Sequence, residues 1–279
     1  MRDNEGLDAY DVGFQAAAAN GEVFLSIVMP TYNEGPTIRR AVHQVLSTSY
    51  PCRIELIVVD DGSSDETASQ LDGLSCDRLK VCRHSRNRGK GAALLTGMSL
   101  ASGTHILPFD ADLEYSPTDV ARMLEPVLDG RAEVVYGTRL FGLNTVYHSF
   151  RYKMGNRVTT LAANLLFDSA VTDMHTCLKL LPLALVRGMR LVELGFGMDT
   201  EITANVLKMG YRPFEVPVAY YARSHLQGKK INWRDGVQCL RILARVRVAN
   251  LLQEKDDLTG SRTSDGSRSL IDAMPSNAD

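Results

Sequence analysis

The sequence has few cysteines, little net charge and no long apolar run. Its five cysteines are scattered without a CxxC spacing, at Cys52, Cys76, Cys82, Cys177 and Cys239. We therefore expect neither a disulfide framework nor a structural zinc site. No apolar run reaches the roughly 18–20 residues that cross a bilayer, and the opening residues MRDNEGLDAY are polar and acidic, unlike a signal peptide. These absences predict a cytoplasmic protein that reaches a membrane only from its surface.

The charge balance is nearly even. The 31 Lys and Arg residues face 33 Asp and Glu residues, which gives a formal net charge of −2. Such a chain creates no global positive field, so we expect no nucleic-acid partner. Residues 1–22 are polar with an alanine run, and residues 253–279 are rich in Ser, Asp and Gly. We predict a flexible N-terminal extension (1–22), one folded domain (23–252) and a disordered C-terminal tail (253–279).

Between these ends, apolar runs alternate with segments of helical spacing. Five runs predict strands: LSIVMP (25–30), IELIVVDD (54–61), LKVCRH (79–84), THILPFD (104–110) and AEVVYGTR (132–139). Helical patterns separate them, as in TIRRAVHQVL (37–46) and GKGAALLTGMSLA (89–101). This alternation predicts an α/β fold, a Rossmann-like and mostly parallel sheet with helices on both faces. Ligands of such folds bind beyond the carboxyl ends of the strands.

The second half of the chain is mixed. Its predicted elements are a helix with a basic start (148–167), a strand (176–182), a helix (198–210), an edge strand (212–223) and a basic amphipathic helix (232–252). Arg241 and Arg245 lie four residues apart on the last helix, which either rests on an anionic membrane surface or packs on the core. The aromatic cluster around Arg151 allows the same two interpretations; its members are Tyr147, Phe150, Tyr152 and Met154.

Three acidic residues follow the fourth predicted strand at every second position, namely Asp110, Asp112 and Glu114 in FDADLEY. Alternate residues of a strand point to the same side, so Asp110 and Asp112 are expected to face one point. Two carboxylates held that close repel each other unless a cation joins them. Mg²⁺ and Mn²⁺ prefer carboxylate oxygens and keep positions open for phosphate oxygens, so the pattern predicts a metal site for a diphosphate. The alternative is a solvated turn in which Asp112 caps the next helix.

The other three strand ends are polar as well. In YNEG (32–35), Asn33 and its neighbours open a helix and are expected to face a ligand. Two aspartates, Asp60 and Asp61, close the second strand, and one of them can accept hydrogen bonds from the N–H groups of a nucleobase. Lys90 lies in NRGKG at a helix N-terminus, which favours anions, although the P-loop spacing GxxxxGK[ST] is absent. Turn chemistry explains each loop alone, but their combination indicates a nucleotide site.

These segments resemble the family 2 inverting glycosyltransferases, and among them the dolichol-phosphate (polyprenol-phosphate) mannose synthases. The likeness runs through LSIVMPTYNEGPTIRRAV, IELIVVDDGSSDETASQL, NRGKGAALLTGMSLASGTHILPFDADLE and GTR. It implies the A-type glycosyltransferase fold, a nucleotide-sugar donor and a Mg²⁺ or Mn²⁺ ion at the Asp-x-Asp sequence. The chain departs from the usual pattern at Glu114, where Gln is usual, and at Cys177–Leu178, which replace a Gly-Phe pair.

The resemblance also implies roles for individual residues. Those implied to bind the donor are Pro30, Tyr32 and Glu34 (nucleoside), Asp60 (base), Asp110, Ala111 and Asp112 (diphosphate and metal), and Arg223 and Lys229 (donor phosphates). Glu114 is a further possible metal ligand. Arg139 and Arg151 match the arginines that hold the acceptor phosphate, and the planar guanidinium suits phosphate oxygens.

The expected reaction is a direct displacement with inversion, in which a hexose moves from GDP-mannose or UDP-glucose to a polyprenyl phosphate at the inner face of the cell membrane. A phosphate monoester has a second pKa of about 6 and needs no general base. A hydroxyl acceptor would need one, and Asp199 or Glu201 are the candidates unless they only favour the dipole of their helix. A protein that binds nucleotide sugars without turnover is the third interpretation.

Overall fold

The structure is a computed structural model. It describes residues 22–140, 145–146, 150–222 and 233–264, and for residues 145–146, 151–152, 233 and 250–264 it describes the backbone alone. The predicted N-terminal extension therefore lies almost entirely outside the described residues, as does the last part of the predicted tail.

The strands are β1 (Phe24–Thr31), β2 (Arg53–Asp60), β3 (Leu79–Arg83), β4 (His105–Pro108), β5 (Val135–Thr138), β6 (Thr145–Val146), β7 (Lys179–Pro182), β8 (Phe214–Pro217) and β9 (Tyr220–Tyr221). The helices are α1 (Gly35–Ser47), α2 (Thr67–Asp72), α3 (Lys90–Leu100), α4 (Pro117–Leu128), α5 (Phe150–Phe167), α6 (Leu183–Arg187), α7 (Met198–Lys208) and α8 (Trp233–Ser264).

Seven strands form one sheet in the order β3-β2-β1-β4-β7-β5-β8. The first four are parallel, with Asp60 paired to Thr31 on one side and to Arg83 on the other. β7 runs antiparallel to both β4 and β5, while β8 is parallel to β5. β6 and β9 pair in a small second sheet. The predicted mostly parallel α/β sheet is confirmed, and because β1 to β4 run in one direction, their carboxyl ends meet along one rim of the sheet.

The strands are apolar on both faces because each face has its own core. Leu25, Ile27 and Met29 of β1 belong to the core beneath α1 and α4, whereas Val28 and Ile57 belong to the core beneath α3 and α7. Alternate residues of a strand thus fill opposite cores, as expected of strands covered on both sides. A third cluster, which includes Ala163, Phe167, Ala204, Cys239 and Leu243, joins α5, α7 and α8.

Several predicted boundaries differ from the structure: the edge strand predicted over 212–223 is divided into β8 and β9, and two other differences concern the acidic turn and the end of the domain. β4 ends at Pro108, so residues 109 and 110 are not part of the strand. α8 continues to Ser264, twelve residues past the predicted end of the folded domain at 252, since QEKDDL (253–258) consists of residues compatible with a helix. β8 is an edge strand, as Pro217 predicts. Among the described residues, no helix is both long and apolar enough to cross a bilayer.

Candidate active site

The loops after β1 and β2 interlock at the rim. The Asn33 amide N–H donates to the Ser63 hydroxyl at 3.0 Å, and the Ser64 N–H donates to Asn33 Oδ1 at 2.9 Å. Asn33 has a φ of 55°, a left-handed conformation that asparagine tolerates better than most residues. The structure therefore uses Asn33 to shape the loop. Beside it, Tyr32 is exposed and Pro30 is buried within β1.

The paired aspartates after β2 are buried and hold neighbouring backbone. Asp60 accepts hydrogen bonds from the Ser63 N–H at 2.9 Å and from Arg83 Nε at 3.0 Å. Asp61 accepts the N–H groups of Arg88 at 2.9 Å and Gly89 at 2.7 Å. Contact between Asp60 and a nucleobase, which remains a prediction, would replace one of the bonds that Asp60 already makes.

The N-terminus of α3 is covered by protein. Asp61 accepts the Gly89 N–H, and the carbonyl oxygen of Leu194 accepts the Ala92 N–H at 3.1 Å. Gly89 has a φ of 99°, and a Cβ atom at this position would collide with that carbonyl oxygen. These two N–H groups are therefore already bonded within the protein, one to the Asp61 carboxylate and the other to the Leu194 carbonyl oxygen, and binding of a ligand anion beside Lys90 stays a prediction.

Lys90 instead places its ammonium against the acidic turn after β4. Its Nζ lies 2.8 Å from Asp110 Oδ1 and 3.0 Å from Asp110 Oδ2. Burial lowers the pKa of Lys90, but the carboxylates of Asp110 and Asp199 raise it by more than burial lowers it. The pKa of Lys90 therefore lies well above its usual value. The lysine is therefore a fixed cation at the carboxylate that was predicted to bind a metal.

The acidic residues themselves occupy a turn, not a strand. Asp112 Oδ1 accepts the Glu114 N–H at 3.0 Å, and Leu113 between them has a φ of 63°. The argument from strand alternation is therefore wrong, because β4 has already ended. Glu114 is buried and its Oε2 accepts the Tyr220 hydroxyl at 2.6 Å, so the fold already engages one of its two oxygens, and metal ligation by Glu114 stays a prediction.

Asp110 and Asp112 fit a divalent ion that shares its coordination with substrate. Both are partly exposed, and carboxylate oxygens are hard ligands of the kind that Mg²⁺ and Mn²⁺ take. Within the described residues, no group of three His, Cys, Asp or Glu side chains could hold a metal ion. An ion at this pair would accordingly complete its coordination with water or with phosphate oxygens of a bound ligand.

A buried chain of alternating charges continues from Lys90 into the protein. Asp199 Oδ2 lies 3.6 Å from Lys90 Nζ, and Asp199 Oδ1 lies 3.7 Å from Lys179 Nζ. Burial raises the pKa of Asp199, but the two ammonium groups lower it by more than burial raises it. The pKa of Asp199 therefore lies below its usual value. Asp199 Oδ1 is buried and accepts no hydrogen bond from the part of the chain that the structure describes.

Arg139, at the end of β5, is held by a carboxylate that the sequence did not assign to it. Its Nε and Nη2 atoms lie 2.6 and 2.7 Å from the two oxygens of Asp173. Asn156 on α5 donates to Asp173 at 2.8 Å. Burial raises the pKa of Asp173, but Arg139 and Asn156 lower it far more, to well below its usual range. Asp173 is therefore ionised and fixes the guanidinium plane.

Tyr220 connects this ion pair to the acidic turn. The Arg139 guanidinium lies 4.9 Å from the centre of the Tyr220 ring, and the Tyr220 hydroxyl donates to Glu114. The Tyr220 ring also packs on Tyr115, with 5.1 Å between ring centres. The arginine predicted to hold an acceptor phosphate thus lies close to the turn that carries Asp110 and Asp112.

Some predicted site residues cannot be placed. Arg223 and Lys229 lie outside the described residues, as does Tyr147. Arg151 lies in the first turn of α5, where the structure describes only the backbone. Glu201 is unsuited to be a base, because its carboxylate accepts the N–H groups of Val192 and Glu193 and pairs with Arg245.

Three residues of the site were not predicted from the sequence: Asp61, Asn156 and Lys179. Asp61 is the second member of an Asp-Asp pair, and that pairing was the only signal available. Asn156 and Lys179 come from a helix and an antiparallel strand whose neighbours are distant in sequence. Lys179 is fully buried, lies 5.4 Å from the Tyr136 ring and donates to the Thr176 carbonyl oxygen.

Comparison with known proteins finds relatives among the glycosyltransferases. The chain is 26% identical over 215 residues to a dolichol-phosphate mannosyltransferase of Pyrococcus furiosus, covering 74% of this chain and 60% of that protein. It is 28% identical over 171 residues to a UDP-N-acetylglucosamine–dolichyl-phosphate N-acetylglucosaminyltransferase of Methanococcus voltae, covering 55% of this chain and 67% of that protein. In three curated relatives the matched part spans 37%, 60% and 63% of the relative's length.

Among solved structures, a glucosyl-3-phosphoglycerate synthase of Mycobacterium tuberculosis in complex with Mg²⁺ and UDP superimposes with a TM-score of 0.62 at 20% identity. The superposition covers 86% of this chain and 82% of that one, and it shows the A-type glycosyltransferase fold. The family model described as glycosyl transferase family 2 matches residues 26–186. Because that match spans more than half of the chain, the protein belongs to glycosyl transferase family 2.

Proposed function

We propose that this protein transfers a hexose, with inversion, from a nucleotide sugar to a polyprenyl phosphate. The observation that carries the proposal is the Tyr220 contact, since Tyr220 packs against the Arg139 guanidinium and donates to Glu114 of the turn that carries Asp110 and Asp112. Transfer from a diphosphate to a phosphate needs two adjacent anion sites, one on each side of the transferred sugar. The acidic turn with a metal ion would supply the first site, and Arg139 the second.

Asp110 and Asp112 would hold a Mg²⁺ or Mn²⁺ ion. Bound there, the ion would neutralise the diphosphate of the donor and the charge that develops on it as it departs. Solved neighbours support this assignment, since their structures contain Mg²⁺ or Mn²⁺ together with UDP. Lys90, which already lies on Asp110, would add a second positive charge at the same place. Arg223 and Lys229 remain predicted to close over the donor phosphates.

Arg139 would hold the acceptor phosphate, together with Arg151 at the start of α5. Asp173 orients the guanidinium through two hydrogen bonds, and such a pre-set geometry saves the reorganisation that a mobile arginine would need. The acceptor oxygen then bonds to the anomeric carbon, and the bond from that carbon to the donor phosphate breaks. The nucleoside diphosphate leaves, and the configuration of the anomeric carbon is inverted.

A phosphate acceptor agrees with the electrostatics of the site because it needs no base. At neutral pH a phosphate monoester is mostly a dianion, with a second pKa of about 6. Asp199 is the remaining candidate base, but Lys90 and Lys179 hold its pKa below the usual value despite its burial. A carboxylate with a lowered pKa is a weak base. Support for the lipid comes from the two dolichyl-phosphate relatives.

The proposed donor is GDP-mannose, because the Pyrococcus relative is named for the transfer of mannose. UDP-glucose is the alternative donor. The test supplies the protein with Mn²⁺, undecaprenyl phosphate and either GDP-mannose or UDP-glucose labelled in the sugar. Label should enter the organic phase with only one of the two donors, and GDP-mannose is the donor that we expect. Asp112→Asn should abolish most of this transfer, whereas the exposed Asp129→Asn should leave it unchanged. Label that reaches only water-soluble acceptors would contradict the lipid acceptor.

A hydroxyl acceptor is the second candidate, favoured by one observation. The buried Oδ1 atom of Asp199 accepts no hydrogen bond among the described residues, which would suit a base that receives a proton from an acceptor. The solved neighbour, a glucosyl-3-phosphoglycerate synthase, is named for a water-soluble product. In the same assay, the unmodified protein would then place no label in the organic phase. Asp199→Asn would abolish the transfer of label to water-soluble acceptors.

A further inference from the structure

Helix α5 carries a continuous apolar stripe on its outer side. The stripe consists of Phe150, Met154, Val158, Leu161 and Leu165, whose exposed fractions range from 38% to 77%. At about 100° and 1.5 Å per residue, the five positions fall within an arc of about 80° and extend along about 22 Å of helix. Single exposed apolar residues are ordinary on a protein surface, whereas a contiguous row of this length marks an interaction surface.

The opposite side of α5 fixes the direction in which the stripe points. Ala163 and Phe167 pack into the cluster shared with α7 and α8. Asn156 donates to Asp173, and Thr159 shares a hydrogen bond of 2.7 Å with His175. The helix is thus attached to the body of the protein by both apolar and polar contacts, and rotation of the stripe into the core would break them.

The charges of the helix select the partner. From Phe150 to Phe167 the sequence has three basic residues, Arg151, Lys153 and Arg157, and no Asp or Glu. Arg157 is exposed and lies about 20° beyond one edge of the stripe. Arg241 is exposed on α8, which packs beside α5. An apolar row bordered by cations suits the surface of an anionic bilayer, which attracts the cations and accommodates the apolar side chains.

A second copy of this chain is a poorer occupant. In a two-fold symmetric dimer the same patch faces itself, so the basic border of one stripe would meet the basic border of the other. Like charges opposed across an interface oppose association. An anionic lipid surface has no such conflict.

We propose that α5 lies on an anionic membrane surface, with its apolar stripe at the boundary between headgroups and acyl chains. The inference rests on the proposed function, because a polyprenyl phosphate is delivered from a bilayer. Asn156 lies on the inner side of the same helix and holds Asp173, which holds Arg139. Docking of α5 therefore sets Arg139 close to the level of the lipid phosphates, where the acceptor phosphate resides.

The test measures co-sedimentation of the full chain with vesicles of phosphatidylcholine and phosphatidylglycerol that contain neither polyprenyl phosphate nor nucleotide. The unmodified protein should bind, and the double variant Leu161→Glu/Leu165→Glu should bind more than about tenfold more weakly, because both apolar contacts are lost. Arg157→Gln should weaken binding a few-fold, and only where phosphatidylglycerol is present. Leu128→Glu, which changes an exposed leucine at the end of α4, away from the stripe, should bind as the unmodified protein does.

Three results would overturn the proposal. One is an absence of vesicle binding by the unmodified protein, and another is equal binding by the double variant. The third is a dimer, seen by light scattering, that the double variant dissociates while no vesicle binding occurs. Thermal unfolding checks that the variant is folded, and Val158→Glu is a substitute if it is not. Transfer to acceptor in detergent micelles is measured separately, so that failure of the enzymatic proposal is distinguished from failure of membrane docking.

Discussion

The two halves of the active-site rim hold their polar residues in different ways. After β2, Asp60 and Asp61 accept hydrogen bonds largely from the backbone of nearby loops. Around β5 and β7, charged side chains pair with one another across distant elements, as Arg139 does with Asp173. The first half shapes its loops through bonds to backbone N–H groups, whereas the second half fixes charges in place through pairs of side chains.

This difference has energetic consequences. A hydrogen bond between a carboxylate and a backbone amide contributes roughly 1.5–3 kcal/mol. Removing one partner of a buried ion pair costs more, about 3–5 kcal/mol, because the other charge remains buried and unpaired. The second half of the rim should therefore tolerate substitution less well than the first, even at positions far from the proposed metal.

The largest effect is expected at Asp173. Asp173→Ala would leave the guanidinium of Arg139 buried, with 11% of its side chain exposed, and without its carboxylate. Urea unfolding should show a loss of about 3–5 kcal/mol in the free energy of unfolding. Arg131→Ala is the matched control, because its ion pair with Asp129 is exposed and should contribute less than about 1 kcal/mol. Equal losses in the two variants would contradict the claim that the burial of the Arg139–Asp173 pair makes its loss costly.

His175 should make the stability of the second half depend on pH. Burial lowers the pKa of His175 from 6.5 to about 4, an effect that Asp173 only partly opposes. The unfolded chain therefore binds a proton below pH 6.5 while the native protein does not, and stability falls as the pH drops from 6.5 to 4. The loss should approach roughly 3 kcal/mol at pH 4.

His175→Asn can retain a hydrogen bond to Thr159 but has no group that titrates in this range. Its free energy of unfolding, measured in urea from pH 8 to pH 4, should fall less steeply than that of the unmodified protein. Parallel curves for the two proteins would show that His175 is not the titrating group.

Lys90 belongs to both halves, since it contacts Asp110 after β4 and Asp199 on α7. Its ammonium competes with a divalent ion for Asp110. Lys90→Met should therefore raise the affinity for Mn²⁺ without nucleotide by about tenfold, which corresponds to about 1.4 kcal/mol. Electron paramagnetic resonance of free Mn²⁺ measures this directly, with Lys80→Met as the control because Lys80 pairs with the distant Glu55. A weaker affinity in Lys90→Met would mean that the lysine supports ion binding before nucleotide arrives.

The smallest effect is expected at Glu114. Glu114→Gln keeps an oxygen that can accept the Tyr220 hydroxyl, so the free energy of unfolding should change by less than about 1 kcal/mol. Glu114→Leu removes this acceptor and should cost about 1–3 kcal/mol, because the buried Tyr220 hydroxyl loses its hydrogen bond to the carboxylate. If both variants lose the same stability, the bond to Tyr220 does not stabilise the turn.

The same contrast explains what the sequence could predict. The ends of β1, β2 and β3 lie within one or two residues of their predicted positions, because periodicity and polar loops are local signals. Nothing local in KLLP (179–182) indicates that β7 enters the sheet antiparallel between β4 and β5. The pairing of Arg139 with Asp173 follows from that insertion, and so it was not predicted.

One further feature depends on packing and not on pattern. The apolar spacing in α5 predicts a helix, but contacts with α7 and α8 decide which apolar residues are covered, and they leave the stripe from Phe150 to Leu165 outside. Asp110 and Asp112 were found from their spacing, although they lie in a turn.

The central claim is that the rim binds a nucleoside diphosphate through a divalent ion held by Asp110 and Asp112. The most direct measurement is anomalous diffraction at the manganese edge from crystals soaked with Mn²⁺ and either GDP or UDP. We expect one strong peak within bonding distance of carboxylate oxygens of both aspartates and of the diphosphate. A nucleotide bound at the rim with no anomalous peak beside these aspartates, or a peak elsewhere, would contradict the account.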